Sequence, residues 1–208
     1  MNVTERVGSA IVSLFISRKT KTMFGLRSVL IKFSLLSSIA FLTACGTPQG
    51  LTLNYSPSSI KSAEGAVEVG DFKYSAVDPR TRKAVPSNQI RNTAMGQIII
   101  DREVSKFVRD AVFSELRLVG VKTAAGSKIL TGDVEEFLID DLGYSIDWTY
   151  RVKYSVTQKD SGQVLFTDTK NIQRKTAKFG NPLGALNETV KLSVEQLLDD
   201  PQFVKAMN

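Results

Sequence analysis

Histidine is absent from the 208-residue sequence, and cysteine occurs once, at Cys45. The first absence removes the commonest general base, the commonest proton shuttle and the usual zinc ligand. The second leaves no internal disulfide and no thiolate cluster for a metal. Serine- and cysteine-based triads need a histidine and are excluded with it. There is no EF-hand spacing, no P-loop and no GxGxxG. Gly126-Ser-Lys128 has neither the earlier glycine nor the strand-to-helix setting of a phosphate loop. No internal repeat or low-complexity tract is present. We therefore expect no cofactor, no metal and no enzymatic activity.

A strong charge imbalance is also missing from most of the chain. The sequence holds 27 Lys+Arg and 21 Asp+Glu, a formal +6. Six of the basic residues (Arg6, Arg18, Lys19, Lys21, Arg27, Lys32) and one acidic residue, Glu5, precede Cys45, so the chain from Cys45 onward is close to neutral. A nucleic-acid partner needs a concentrated basic surface, and net charge gives no support for one. With 42% hydrophobic and 23% charged residues the composition is that of a globular protein, and its length suits one domain.

What is present begins at Arg27 and Lys32. An apolar stretch from Phe33 to Leu42 comes after them, and Leu42-Thr43-Ala44-Cys45-Gly46 closes it with small residues. Charged, apolar and small segments in that order make a secretory signal. The ten-residue apolar stretch is too short for a spanning helix, which needs about 20 residues. Leu42-Thr43-Ala44-Cys45 resembles a bacterial lipobox, which implies cleavage before Cys45 and acylation of its sulfur. Each buried CH2 of the acyl chains then adds about 0.8 kcal/mol to membrane attachment. Gly46, rather than aspartate, follows the cysteine; by resemblance to enterobacterial lipoproteins this favours the outer membrane over the inner. Met23 gives a leader of ordinary length, so the segment from Met1 to Thr22 is expected to lie upstream of the true start.

We divide the chain into a signal peptide (residues 1–44), a lipidated cysteine with a flexible tether (45–60) and one domain (61–208). The tether is assigned from its Thr, Ser, Pro, Gly and Gln content. In the domain, Ala66 to Tyr74 alternates apolar and polar and predicts a strand. Asp78 to Gly96 reads as a long loop with room for a β-excursion. Gln97 to Ile100 is either a short strand or the lead-in to a helix. Asp101 is the expected N-cap of that helix, with Val104, Phe107, Val108, Ala111, Leu118 and Val119 on one face and Gly120 as its stop. Lys128 to Ile139 predicts a strand, and Asp147 to Thr157 another. In the latter Trp148, Tyr150, Val152, Tyr154 and Val156 share one side. A turn at Lys159-Asp160-Ser161-Gly162 leads to a partner strand from Val164 to Thr176. Asn181-Pro182 caps a helix striped by Leu183, Leu186, Val190, Val194 and Leu197, and Asp200-Pro201 restarts a short one. The expected fold is α+β: an antiparallel sheet of about four strands with two helices on one face, in the order β-α-β-β-β-α.

Three groups of residues could carry chemistry. Asp133, Glu135, Glu136, Asp140 and Asp141 have the carboxylates of a glycosidase or a calcium site, but they also suit the wet side of a strand and its turn, which is our reading. Trp148, Tyr150 and Tyr154 could stack on a sugar or a base; under helices they are core. Arg80, Arg82, Lys83 and Arg91 are the candidate contacts for an anionic lipid or lipopolysaccharide, against the alternative of a solvated loop. Arg174, Lys175 and Lys178 pose the same choice.

Several segments together resemble the YajG-type lipoproteins of Gram-negative bacteria. They are the lipobox, Leu53-Asn54-Tyr55-Ser56-Pro57, the helix end at Leu118-Val119-Gly120, Leu130-Thr131-Gly132-Asp133-Val134, and Asp200-Pro201-Gln202-Phe203. The resemblance covers nearly all of the chain after Cys45 and brings no catalytic residue with it. It implies a non-catalytic lipoprotein held on the periplasmic face of the outer membrane by acylated Cys45. The missing catalytic constellations lead us to expect a binding or assembly role towards an envelope protein or polymer; the tether and basic loop give the alternative of an auxiliary lipoprotein of a lipid- or lipopolysaccharide-trafficking transport system.

Overall fold

Three long strands set the frame: β4 (Lys128–Asp140), β5 (Ser145–Gln158) and β6 (Val164–Ala177). They pair as an antiparallel meander, β4 with β5 and β5 with β6. The computed structural model describes residues 50–208 except Ala125. The signal peptide, Cys45 and the choice between Met1 and Met23 lie outside the described residues.

Strict alternation carries β5. Trp148, Tyr150, Val152, Tyr154 and Val156 are buried while Asp147 and Lys153 are exposed, as the sequence predicts. The aromatic side chains are thus core and not a stacking platform. In β4 the alternation slips by one residue. Val134 and Phe137 both enter the core, which strict period-two geometry forbids. A bulge between Val134 and Glu136 accommodates the extra residue, Glu135. Without it, every side chain beyond Val134 would change face.

The other edge of β4 is covered by two short strands laid end to end, both parallel to it. β1 (Glu68–Tyr74) pairs up to Tyr74↔Val134, and β2 (Gln89–Asn92) pairs at Arg91↔Leu138 and Asn92↔Ile139. β3 (Gly96–Ile99) extends the sheet as the hairpin partner of β2. The sheet therefore has six strands and is mostly, not wholly, antiparallel, which corrects the expected four. The β2–β3 hairpin falls where a loop from Asp78 to Gly96 was expected, and it resolves Gln97 onward as strand.

Three helices, α1 (Val104–Leu118), α2 (Pro182–Leu198) and α3 (Pro201–Met207), complete the fold, one more than expected as packed elements. Their apolar faces join those of the strands in a single core. Asn181 and Asp200 cap α2 and α3 with their side chains, each followed by proline at the first helical position, as read from the sequence. Asp101 does not cap α1. The N-cap is Glu103, without a side-chain bond, and the carbonyl of Ser87 accepts the Val104 N–H instead (2.7 Å). Nor does Leu118 belong to the buried face of α1: it is exposed, and Val112, Glu115 and Leu116 complete that face.

Gly132 in β4 admits the ring of Phe72 from β1. A Cβ there would lie 2.3 Å from the ring's Cε2. Phe72 in turn meets Tyr154 edge-on at 6.1 Å. The parallel β1–β4 contact thus depends on an empty side-chain position.

Residues 50–60, expected to be tether, pack on the domain. Leu53 is 2% exposed, and Tyr55 meets Phe107 of α1 edge-on. The clamp is Glu115, fully buried on α1. Its carboxylate accepts bonds from the Tyr55 hydroxyl (2.6 Å), the Ser58 N–H (3.0 Å) and the Ser59 N–H (3.1 Å). Burial, and then the bond to Glu115, push the Tyr55 phenol far above its ordinary range. Ser59 also donates from its hydroxyl to Glu195 of α2 (2.7 Å), so the segment bridges two helices.

Candidate functional site: an apolar pocket at one end of the sheet

The ends of β2, β4 and β6 come together at one end of the sheet, and polar bonds hold their loops. In the β2–β3 turn, Thr93 donates from Oγ1 to Asp140 (2.7 Å), and Ala94 N–H donates to Asp141 (3.1 Å). The bonds from Thr93 and from the Leu142 N–H hold the Asp140 carboxyl below its ordinary pKa. From the loop after β6, Lys178 donates through Nζ to the carbonyls of Asp141 (2.6 Å) and Gly143 (3.0 Å). Three loops are therefore tied to one another by their polar groups, which leaves their apolar side chains to face elsewhere.

Those side chains surround an open pocket of about 370 Å³. Its floor is core: Leu53, Ile139, Ile146, Trp148 and Leu186. The Trp148 indole donates to Thr176 Oγ1 (2.8 Å), so this wall has no unpaired N–H. The rim is apolar yet wet. Met95 is 68% exposed and Phe179 99%, and Leu51 and Leu183 are also exposed. Leu142 and Tyr144, in the β4–β5 turn beside the pocket, stand out into solvent as well. A concave apolar site bounded by exposed apolar side chains is the surface pattern of a binding site.

The segment leading back towards Cys45 passes this rim. Leu51 N–H donates to Ile99 O (2.8 Å), and Asp101 N–H donates to Leu51 O (3.2 Å), adding one residue to the sheet edge beside β3. Gly50 lies so close to that edge that a Cβ would sit 2.4 Å from the carbonyl carbon of Ile100. Only glycine allows this approach.

The residues singled out from the sequence go elsewhere. Arg91 pairs with Glu136 (3.3 Å), and Arg151 joins Glu136 and Glu135 (3.1 Å each) on the polar face of the sheet. Asp133 accepts a bond from Ser75 (2.6 Å). Among the described residues no group of three His, Cys, Asp or Glu side chains could hold a metal ion. Arg80, Arg82 and Lys83 are exposed on the β1–β2 connection and do not line the pocket. That connection is braced by its backbone: Arg82 N–H donates to Asp78 O (2.7 Å), and Arg82 has a left-handed φ of 57°. Arg80, Arg82 and Lys83 share the β1–β2 connection, where the Arg80 N–H holds the Asp78 carboxyl below its ordinary pKa; Arg91, paired with Glu136, also lies near enough to Asp78 to help. Of the later basic residues, Lys178 alone reaches the pocket. Sequence reasoning missed the pocket and Glu115. The signal that could have found the pocket was large apolar residues in turns, Met95 and Phe179.

No family model and no curated protein sequence matches the chain. Among solved structures it is similar to protein XCC0632 from Xanthomonas campestris, described with the family DUF330. The TM-score is 0.53 at 13% identity, over 75% of this chain and 95% of that one. It is more distantly similar to the PelC dodecamer from Paraburkholderia phytofirmans, with a TM-score of 0.37 at 13% identity over 68% and 92% of the two chains. For lipoprotein GNA1162 from Neisseria meningitidis the TM-score is 0.31 at 15% identity, over 65% and 99%. The first likeness is one of fold, an α+β layer pair.

Proposed function

We propose that the protein is a non-catalytic lipoprotein of the YajG kind, anchored through acylated Cys45 to the periplasmic face of the outer membrane. It has a binding or assembly role there, towards an envelope protein or polymer. The observation that carries the reading is the apolar pocket beside Gly50 and Leu51, where the chain comes in from the lipobox. No helix among the described residues is long and apolar enough to cross a membrane. The carboxylates that a glycosidase would need are engaged in ion pairs and turn bonds. No nucleic-acid role is proposed, because the chain from Cys45 onward is close to neutral.

A second reading, the auxiliary lipoprotein of a lipid- or lipopolysaccharide-trafficking transport system, draws support from the same pocket, whose walls suit hydrocarbon better than a sugar.

Two experiments test the proposal. Fractionation should find the wild-type protein with the outer membrane and Cys45→Ala in the soluble or inner-membrane fraction; identical partitioning of both would contradict it. Crosslinking in intact cells from a residue on the pocket rim should give a discrete adduct, and repeated recovery of the uncrosslinked protein alone would count against a binding role.

A further inference from the structure

We infer that the pocket at the end of the sheet takes an acyl chain from a phospholipid of the bilayer to which the protein is tethered. The inference rests on the lipoprotein reading and names the occupant of its site.

Size and chemistry define the ligand first. A volume of about 370 Å³ lies near the lower end of small-molecule sites, roughly 300–1,000 Å³. The floor made by Leu53, Ile139, Trp148 and Leu186 offers hydrocarbon and an indole whose only polar atom is already bonded. A sugar or peptide would lose hydrogen bonds to water there without replacing them. A hydrocarbon chain loses none. Lys178 uses two of its three N–H donors on carbonyls, leaving one for a headgroup oxygen, while the Asp141 carboxylate that also lines the pocket is engaged by the Ala94 N–H.

The rim decides the source. Met95, Phe179 and Leu183 line the opening and are in contact with water. An acyl chain attached to this protein's own Cys45 would fill the pocket and leave that rim wet. A bilayer surface covers both at once, taking the Phe179 ring and the rest of the apolar rim out of water. Chain length keeps the bilayer within reach. Cys45 precedes Gly50 by five residues, so even fully extended it lies within about 18 Å of the rim. Tethering at that distance makes docking effectively intramolecular, and a weak apolar contact is then enough to keep it occupied.

The chain carries its own reporter. Trp148 is the only tryptophan, is 2% exposed and forms a pocket wall. The full lipidated protein is reconstituted in phosphatidylethanolamine–phosphatidylglycerol vesicles whose acyl chains carry bromine, a contact-range quencher. The expected result is flotation with the vesicles and loss of most Trp148 emission relative to unbrominated vesicles. Phe179→Asp and Leu183→Asp, at exposed positions that a folded domain tolerates, should float equally and recover most of the emission. Flotation without quenching overturns the inference and leaves the anchor reading intact. Quenching untouched by the rim substitutions also overturns it. Emission that ignores the bromines but changes in Cys45→Ala assigns the pocket to the protein's own acyl chain, against the inference. Failure to float overturns the inference together with the anchor.

Discussion

Replacing Glu115 should loosen the join between domain and tether more than any other single change. Its carboxylate is fully buried and accepts three bonds, two from the successive N–H groups of Ser58 and Ser59 and one from Tyr55. In Glu115→Ala all three donors lose their acceptor, and those that stay buried cost about 1–3 kcal/mol each. Part of this is offset because Ser58 is exposed and Tyr55 half-buried, so that both regain water when the segment lifts, and because no carboxylate is then desolvated. A net loss of about 3 kcal/mol results, equivalent to roughly 6–12 °C in Tm for a domain of this size. Glu115→Gln keeps the oxygen shared by Tyr55 and Ser58 but opposes an NH2 to the Ser59 N–H, for a loss of about 1.5 kcal/mol. The assays are urea denaturation and amide hydrogen exchange. Exchange at Ser58 and Ser59 should accelerate in Glu115→Ala far more than exchange in β5. Unchanged protection of these two amides, or a stability loss below about 0.5 kcal/mol, would refute the clamp.

Other consequences can be measured on the same protein. Gly132→Ala places a methyl group inside the Phe72 ring and should cost about 1–3 kcal/mol; in Phe72→Leu, where the ring is gone, the same change should cost much less, as a double-mutant cycle would read. Asp200 accepts bonds from Lys170 (2.7 Å) and from the Gln202 N–H, which hold its carboxyl below the ordinary pKa. A carboxyl depressed in the folded state stabilises fully above its unfolded value, about 3.9, and this contribution drains away as pH falls through the folded value. Asp200→Asn should therefore flatten the acid limb of stability against pH, and an unaltered limb would count against the pair. Tyr154 and Ser193 share a buried hydrogen bond (3.0 Å), and burial pushes the phenol up to about 12. Tyr154→Phe should cost about 1 kcal/mol, and adding Ser193→Ala should cost less than the sum of the two single changes, as denaturation would show.

β5 and α2 could be read from the sequence because their periods run unbroken over 14 and 17 residues, and the turn at Lys159–Gly162 then pointed to β6 as the partner of β5. Asn181 and Asp200 announced their helices because capping is local. The β2–β3 hairpin was hidden. Each strand has four residues, and Gln89-Ile90-Arg91-Asn92 has a single apolar member. Its strand character comes from the edge of β4, far away in sequence. Asp101 misled for a related reason: the first free N–H of α1 is satisfied by Ser87, a partner that no local pattern encodes. The segment after Gly50 has the composition of a tether, and only the position of Glu115 within an otherwise apolar helix stripe pointed to a buried acceptor waiting for donors. The pocket was hardest to anticipate. Its walls come from the tether end, the β2–β3 hairpin, β4, β5, the loop after β6 and α2, and apart from the β4–β5 pairing no spacing reveals that these segments meet.

Membrane attachment through the one thiol of the chain is tested most directly by mass spectrometry of the protein purified from the cell envelope. The account predicts a first residue at Cys45 bearing acyl mass and no peptide spanning Ala44–Cys45. An unmodified Cys45 inside a continuous peptide with Thr43 and Ala44 would contradict it.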